Sequence, residues 1–301
     1  MKFLYFLFLT HVNSFNPKYF ENIPLSLKKS THDLLKFSPD INYNYIKGKY
    51  SHSYAKNSLD RIFKKINKKK IKYPDYYDKS NFDWNSAYEF EGLSYSVLSL
   101  CLNNNDFKFA SNYFRSNIYD IIYNYSNIEI RNILDIGCSI GLSTEFLQKN
   151  FCPNFIHGID LNPYFLSIVS YRSKYKSLPI SYSHQNAENI NNNDKSYDLI
   201  TSSFLIHEVP NKNIKNIFKE SYRLLDNHGI FVIIDIDSIK IKNKFKDNYL
   251  SKFIFEASQP NIFNYYKFNI QYELFKTGFK KISKISIDEY NSVWIGKKIE
   301  N

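Results

Sequence analysis

The run Asp135-Ile-Gly137-Cys138-Ser139-Ile-Gly141 sets small residues behind an acid, between an apolar stretch and a helix-like one. Side chains without bulk let a backbone turn sharply and come close to a ligand, as a nucleoside or nucleotide site requires. A dinucleotide fingerprint would place small residues at 137, 139 and 142, but position 142 is Leu. The glycines sit instead two and six positions after the acid, with Ser139 between them, a serine that is tolerable if its φ is negative. Further on, Asp160 ends the run Gly158-Ile-Asp160-Leu161-Asn-Pro163. An acid at the tip of a second strand is placed to accept hydrogen bonds from both ribose hydroxyls. Nicotinamide-binding folds share that feature, so it points to a nucleoside without deciding which one.

These residues need a frame that gathers them at one edge. From Ile128 onward, strand-like runs alternate with helical spacing. Ile130 to Ile136, Asn154 to Ile159, Ile180 to His184, Tyr197 to Ser203 and Ile230 to Asp235 read as strands. Helices fit between them at 142–150, 163–175 and 212–225, and strand-like runs at Phe279 to Ile285 and Ser292 to Lys297 close the chain. The alternation predicts an α/β fold, a Rossmann-like parallel sheet with helices on both faces. Ahead of it, 86–102 and 106–125 carry apolar residues at helical spacing, among them Phe107, Ala110, Phe114, Ile118 and Ile122.

Five blocks in this order resemble the class I S-adenosylmethionine-dependent methyltransferases. The first loop resembles their D-x-G-x-G-x-G, with Ser139 for the middle glycine, and Asp160 matches their strand-two acid. His184-Gln-Asn186-Ala187-Glu188 resembles their D-A-E segment along the adenine, with Asn186 for Asp. An amide can both accept and donate, so contact with adenine survives that exchange. Tyr197-Asp198 through Ser202, Ser203, His207 and Glu208 resembles the fourth-strand block, and Leu224-Leu225 through Gly229 to Asp235 the L-R-P-G-G-x-L block with strand five. The resemblance implies a seven-stranded methyltransferase sheet under an N-terminal helical cap, with S-adenosyl-L-methionine as cofactor and no metal. It assigns cofactor contacts to Asp135, Gly137, Cys138, Ser139, Gly141, Asp160, Leu161, Asn186, Ala187, Glu188, Ser202 and Ser203. Phe82 to Gly92, Asn162 to Leu166 and Ser258 to Tyr266 further resemble a group of plastid-targeted methyltransferases of plants and algae.

Methyl transfer is an in-line displacement from a sulfonium that already leaves readily, so positioning and desolvation supply most of the rate. A base is needed only if the acceptor must lose a proton. His207, just beyond the fourth strand, is the candidate, and a surface or capping histidine is the other reading. Glu208 reads as structural. The favoured acceptor is a small apolar or aromatic molecule such as a quinol, lipid or isoprenoid precursor. Methylation of RNA or protein is the alternative, although the fourth-strand block lacks N-P-P-Y or D-P-P-Y and the chain has no Pro-Cys pair. A non-catalytic nucleoside-binding module is the third reading, and the acids at 135, 160 and 188 speak against it.

The chain has 301 residues and is 43% hydrophobic, enough for a core and too much for wholesale disorder. Three cysteines, Cys101, Cys138 and Cys152, show no C-x-x-C spacing, which argues against a disulfide scaffold or a cysteine zinc site. The net charge of +11 suits nucleic acid or an anionic membrane, but the excess of Lys, Asn, Ile and Tyr also fits AT-rich codons. The basic residues are spread out except in Arg61 to Lys72, which holds seven without an acid. Met1 to Phe15 reads as a signal peptide, with Lys2 before the apolar run Phe3 to Leu9. Residues 16–73 read as a basic, transit-like or disordered leader, 74–126 as the helical cap and 127–301 as the methyltransferase domain. Such a bipartite leader fits entry into a plastid-like organelle, an apicoplast; the secretory pathway or the cytoplasm is the alternative. No apolar run approaches the ~18–20 residues that span a bilayer.

Overall fold

The computed structural model describes residues 53–300 apart from 69, 70, 78, 80, 81, 104, 105, 247, 248, 258 and 260. The signal-peptide reading and most of the leader therefore lie outside the described residues. The chain opens with α1 (Ser53–Asn67), α2 (Trp84–Cys101) and α3 (Phe107–Ser126). Then come β1 (Asn132–Ile136), α4 (Leu142–Phe151), β2 (Phe155–Asp160), α5 (Pro163–Tyr175), β3 (Ser181–His184) and β4 (Tyr197–Ser203). A 3-10 turn at Ile206–Glu208 leads to α6 (Asn211–Leu224) and β5 (Leu225–Ile236). The chain ends with α7 (Ser238–Lys244), α8 (Tyr249–Ala257), α9 (Ile262–Tyr265), α10 (Ile270–Thr277), β6 (Lys280–Ser286) and β7 (Asn291–Lys297).

The strands form one seven-stranded sheet in the order β3-β2-β1-β4-β5-β7-β6. The first five run parallel, and β7 pairs antiparallel with both β5 and β6. This is the Rossmann-like methyltransferase sheet that the motifs imply. Both faces are covered, so the central strands read as unbroken apolar runs. In β5, Phe231 and Ile233 pack on one face with Phe218 and Tyr265, while Ile230, Val232 and Ile234 pack on the other with Phe114 and Leu147. Helix α6 shows how the sequence selects its buried side: Ile214, Ile217, Phe218, Ser221 and Leu224 recur at helical spacing and all are buried. The chain order reverses between β1 and β4, and in open α/β sheets the ligand-binding crevice lies at the carboxyl edge there.

The N-terminal part departs from the expectation of an aperiodic leader running to residue 73. Helix α1 packs on α5 and β3, with Leu59 fully buried against a cluster that includes Ile140, Phe165 and Ile168. Phe63 lies 4.5 Å from Tyr164 between ring centroids and 5.7 Å from Trp84. The apolar positions 59, 62, 63 and 66 do keep helical spacing, but the lysines and asparagines around them dilute it.

One buried polar chain crosses the sheet away from the crevice. His157 of β2 meets the Tyr197 hydroxyl at 3.1 Å through Nδ1 and Ser183 Oγ at 2.8 Å through Nε2. Burial lowers its pKa from 6.5 to about 4, so it folds as a neutral ring. The unfolded state then takes up the proton first, so this contribution to stability is intact above pH 6.5 and is lost as pH falls toward 4. At 1.36 kcal/mol per pKa unit the loss is about 3 kcal/mol across that window. Urea unfolding of wild type and His157→Asn at neutral and mildly acidic pH checks this: the variant is expected to lose less stability on acidification.

Candidate active site

The loop between β1 and α4 curls because three of its residues are left-handed. Gly137 has φ +69°, Ser139 +50° and Gly141 +75°. The negative φ expected for Ser139 is therefore corrected: the curl needs a left-handed residue at each glycine position of the motif. A serine there costs roughly 1–2 kcal/mol of backbone strain. No side chain fits at Gly141, where a Cβ would collide with Val169, and at Gly137 it would stand 3.1 Å from Leu205. Beneath the loop, Asp135 accepts from Thr144 Oγ1 at 2.6 Å and from Thr201 Oγ1 at 2.8 Å. It thereby locks the first turn of α4 and the neighbouring strand to the loop. Burial pushes its pKa up to about 6, partly offset by the two hydroxyls.

Asp160 stands at the tip of β2, directly against the loop. Its Oδ2 accepts from the Ser139 amide at 2.7 Å and its Oδ1 from the Asn162 amide at 2.7 Å. Burial raises its pKa while these amides hold it down. The Leu161 amide also hydrogen-bonds it, so of the roughly four acceptor sites of a carboxylate about one remains for an incoming hydroxyl. Nearby, Ser139 Oγ and Ser202 Oγ are buried and have no partner among the described residues. Unmatched buried polar atoms in the loop and at the end of β4 fit a polar ligand that supplies the missing bonds. Cys138 is buried and donates its amide to Ile159 O at 2.9 Å. Burial, with Asp160 and Asp135 adding, raises the thiol pKa well above its usual value, so Cys138 lines the loop as a neutral group.

After the tip of β3, Asn186 Oδ1 accepts the Glu188 amide at 3.0 Å, and Ala187 packs on the core. The Glu188 carboxylate turns away from the loop. It accepts from Tyr76 Oη at 2.9 Å, Asn213 Nδ2 at 2.8 Å and Asn216 Nδ2 at 2.9 Å, and so ties α6 to the segment before α2. His184 Nε2 lies 3.0 Å from the Leu161 carbonyl and 3.1 Å from Tyr73 Oη. The segment at 73–76 therefore crosses the tips of β2 and β3. Arg172 of α5 donates to the Ile140 carbonyl and pairs with Glu145 and, at 3.5 Å, with Glu91 of α2. The glycine loop is thus pinned to the N-terminal helices that roof it.

The turn after β4 carries a histidine–aspartate pair. Beyond Ser203, which is half-buried, the chain enters the 3-10 turn and the His207 ring is buried. His207 Nδ1 is 2.6 Å from Asp235 Oδ1. Asp235 is fully buried, and it also accepts from the amides of Ile206 at 2.8 Å, His207 at 3.2 Å and Ile236 at 2.7 Å. Burial would lower the imidazole pKa, but the charge and hydrogen bond of Asp235, with Glu208 adding, leave it raised. The Tyr265 ring meets His207 edge-on at 6.3 Å, and Asn261 Nδ2 donates to Glu208 O at 2.6 Å, so α9 holds the turn from outside. Asp235, Tyr265 and Arg172 escaped the reading of the sequence. For Asp235 a signal existed: an acid ending an all-apolar strand is buried at a sheet edge and must have partners.

Residues 133–229 match a family described as a methyltransferase domain. The ubiquinone biosynthesis O-methyltransferase of Coxiella burnetii is 28% identical over 88 residues, 29% of this chain. The match spans only 37% of that relative's length. An uncharacterized methyltransferase of Synechocystis is 26% identical over 106 residues, 35% of this chain and 47% of that protein. Among solved structures, a putative S-adenosyl-L-methionine-dependent methyltransferase from Methanococcus maripaludis superposes with TM-score 0.53 at 20% identity, covering 75% of this chain and 97% of that one. Phosphoethanolamine N-methyltransferase 2 of Haemonchus contortus, in complex with S-adenosyl-L-methionine, superposes with TM-score 0.52 at 15% identity over 77% of this chain and 61% of that one. At these identities the structural matches establish the fold.

Proposed function

With a methyltransferase domain of the S-adenosylmethionine-dependent class at residues 133–229 as premise, we propose that the chain methylates a small apolar or aromatic acceptor at an oxygen that gives up a proton. The buried His207–Asp235 pair carries this reading. When bound, S-adenosylmethionine supplies a methyl group on a sulfonium. Asp160 holds the ribose, and the loop 137–141 with Ser202 cradles the methionine half. Asn186 and Ala187 border the adenine, while Glu188 braces α6 rather than touching it. His207 Nε2 takes the acceptor's proton, and Asp235 fixes the ring through Nδ1 and stabilises the imidazolium that forms. A thioether or tertiary amine would need no such base. The O-methyltransferase relative from Coxiella is consistent with oxygen as the target.

The reading is tested by incubating the full chain and S-adenosylmethionine with a panel of apolar phenols and prenylated hydroquinones, and separately with RNA. S-adenosylhomocysteine is expected with the phenols. Release with RNA alone would overturn the acceptor class and leave the methyltransferase premise standing.

A further inference from the structure

The outer face of α7–α9 combines exposed aromatic rings with lysines. Tyr249 is 82% exposed, Phe253 48% and Phe263 57%. Tyr249, Lys252, Phe253 and Glu256 share one face of α8 by helical spacing. Glu256 hydrogen-bonds Tyr266, whose ring lies 6.4 Å from Phe263 and 4.9 Å from the Lys242 ammonium of α7. These contacts make one continuous surface. Between Ser238 and Phe253 the sequence holds five lysines and a single acid, Asp247. Lys240 donates to Ser286, Asp288 and Asn291, and Lys244 pairs with Glu289 at the surface. Lys242, which donates to the Tyr266 carbonyl at 3.3 Å, Lys252, which lies 3.9 Å from Glu256, and Lys246 and Lys267 are all exposed.

We propose that this face docks the protein on an anionic lipid bilayer. Aromatic rings reach the boundary between headgroups and acyl chains, while ammonium groups meet lipid phosphates. The same elements stand over the histidine turn, through Asn261 on Glu208 and Tyr265 on His207. Docking therefore turns the proposed acceptor side of the crevice toward the lipid. That consequence rests on the acceptor reading, but binding to lipid is measured without turnover, so either can fail alone.

The test sediments the full chain with vesicles of phosphatidylcholine, or of phosphatidylcholine mixed with phosphatidylglycerol. Binding at least ~10-fold tighter to the anionic vesicles, weakened by salt, is expected. The combined variant Tyr249→Ser, Phe253→Ser, Phe263→Ser is expected to lose ~10-fold or more with an unchanged circular-dichroism spectrum. Phe253→Trp, a milder change, should gain fluorescence that brominated acyl chains quench. Equal binding to both vesicles would overturn the proposal, as would an unquenched Trp on bound protein. So would preferential capture by soluble polyglutamate, which would assign the face to an acidic protein partner.

Discussion

His207→Ala is expected to lower turnover by ~100-fold or more while leaving S-adenosylmethionine affinity within about twofold. The side chain follows β4, two strands away from Asp160 at the tip of β2, so its loss should leave the Asp160 contacts intact. Asp235→Asn separates catalysis from packing. It keeps the volume but removes the charge that holds the Nδ1 proton, and a loss of similar size is expected. The pH profile adds a second readout. Wild-type kcat should climb through the raised imidazole pKa, above 6.5, and in Asp235→Asn the remaining activity should climb at lower pH. If His207 only packs, the Ala variant loses stability with kcat intact. The pair also acts on stability with a sign opposite to His157. A raised folded pKa gives stability that is full below pH 6.5 and lost as pH rises through the folded value.

Removal of residues 1–72 is expected to unfold or severely destabilise the domain. Helix α1 covers Ile140, Phe165 and Ile168, and its removal would open that cluster to water. Leu59→Ala alone should cost about 2–5 kcal/mol, the usual range for emptying a fully buried leucine site. Lys64→Ala, on the exposed side of the same helix, should stay within about 0.5 kcal/mol. Urea denaturation of the three proteins decides the matter. A chain starting at Tyr73 with wild-type stability would show that α1 is an appendage.

The parallel core was legible because each strand carries a run that must be buried on both faces, and the loops between runs end in residues with little conformational choice. Predicted and observed bounds agree for Tyr197 to Ser203 and differ by a residue or two for β1, β2 and β3. The loop was legible from Gly137 and Gly141, but the left-handed φ of Ser139 was not, since serine gives no hint of it. The helices α7 to α9 were not read because segments of seven, nine and four residues carry too few apolar positions to display a period. Glu188 illustrates a different limit. A motif gives the place of a residue along the chain, but Tyr76, Asn213 and Asn216 decide where its carboxylate points. The His207–Asp235 contact joins separate strands, so spacing along one segment does not display it.

The glycine loop and Asp160, joined through the Ser139 amide, are assigned together as the S-adenosylmethionine site, and titration calorimetry of the full chain tests this most directly. Wild type should bind saturably at one site per chain. Asp160→Ala removes the acceptor of a ribose hydroxyl, roughly 1.5–3 kcal/mol for a charge-assisted bond, so affinity should fall by about ten- to a hundredfold. Unchanged affinity in an Asp160→Ala chain that keeps its fold, or no heat of binding in wild type, would contradict the assignment.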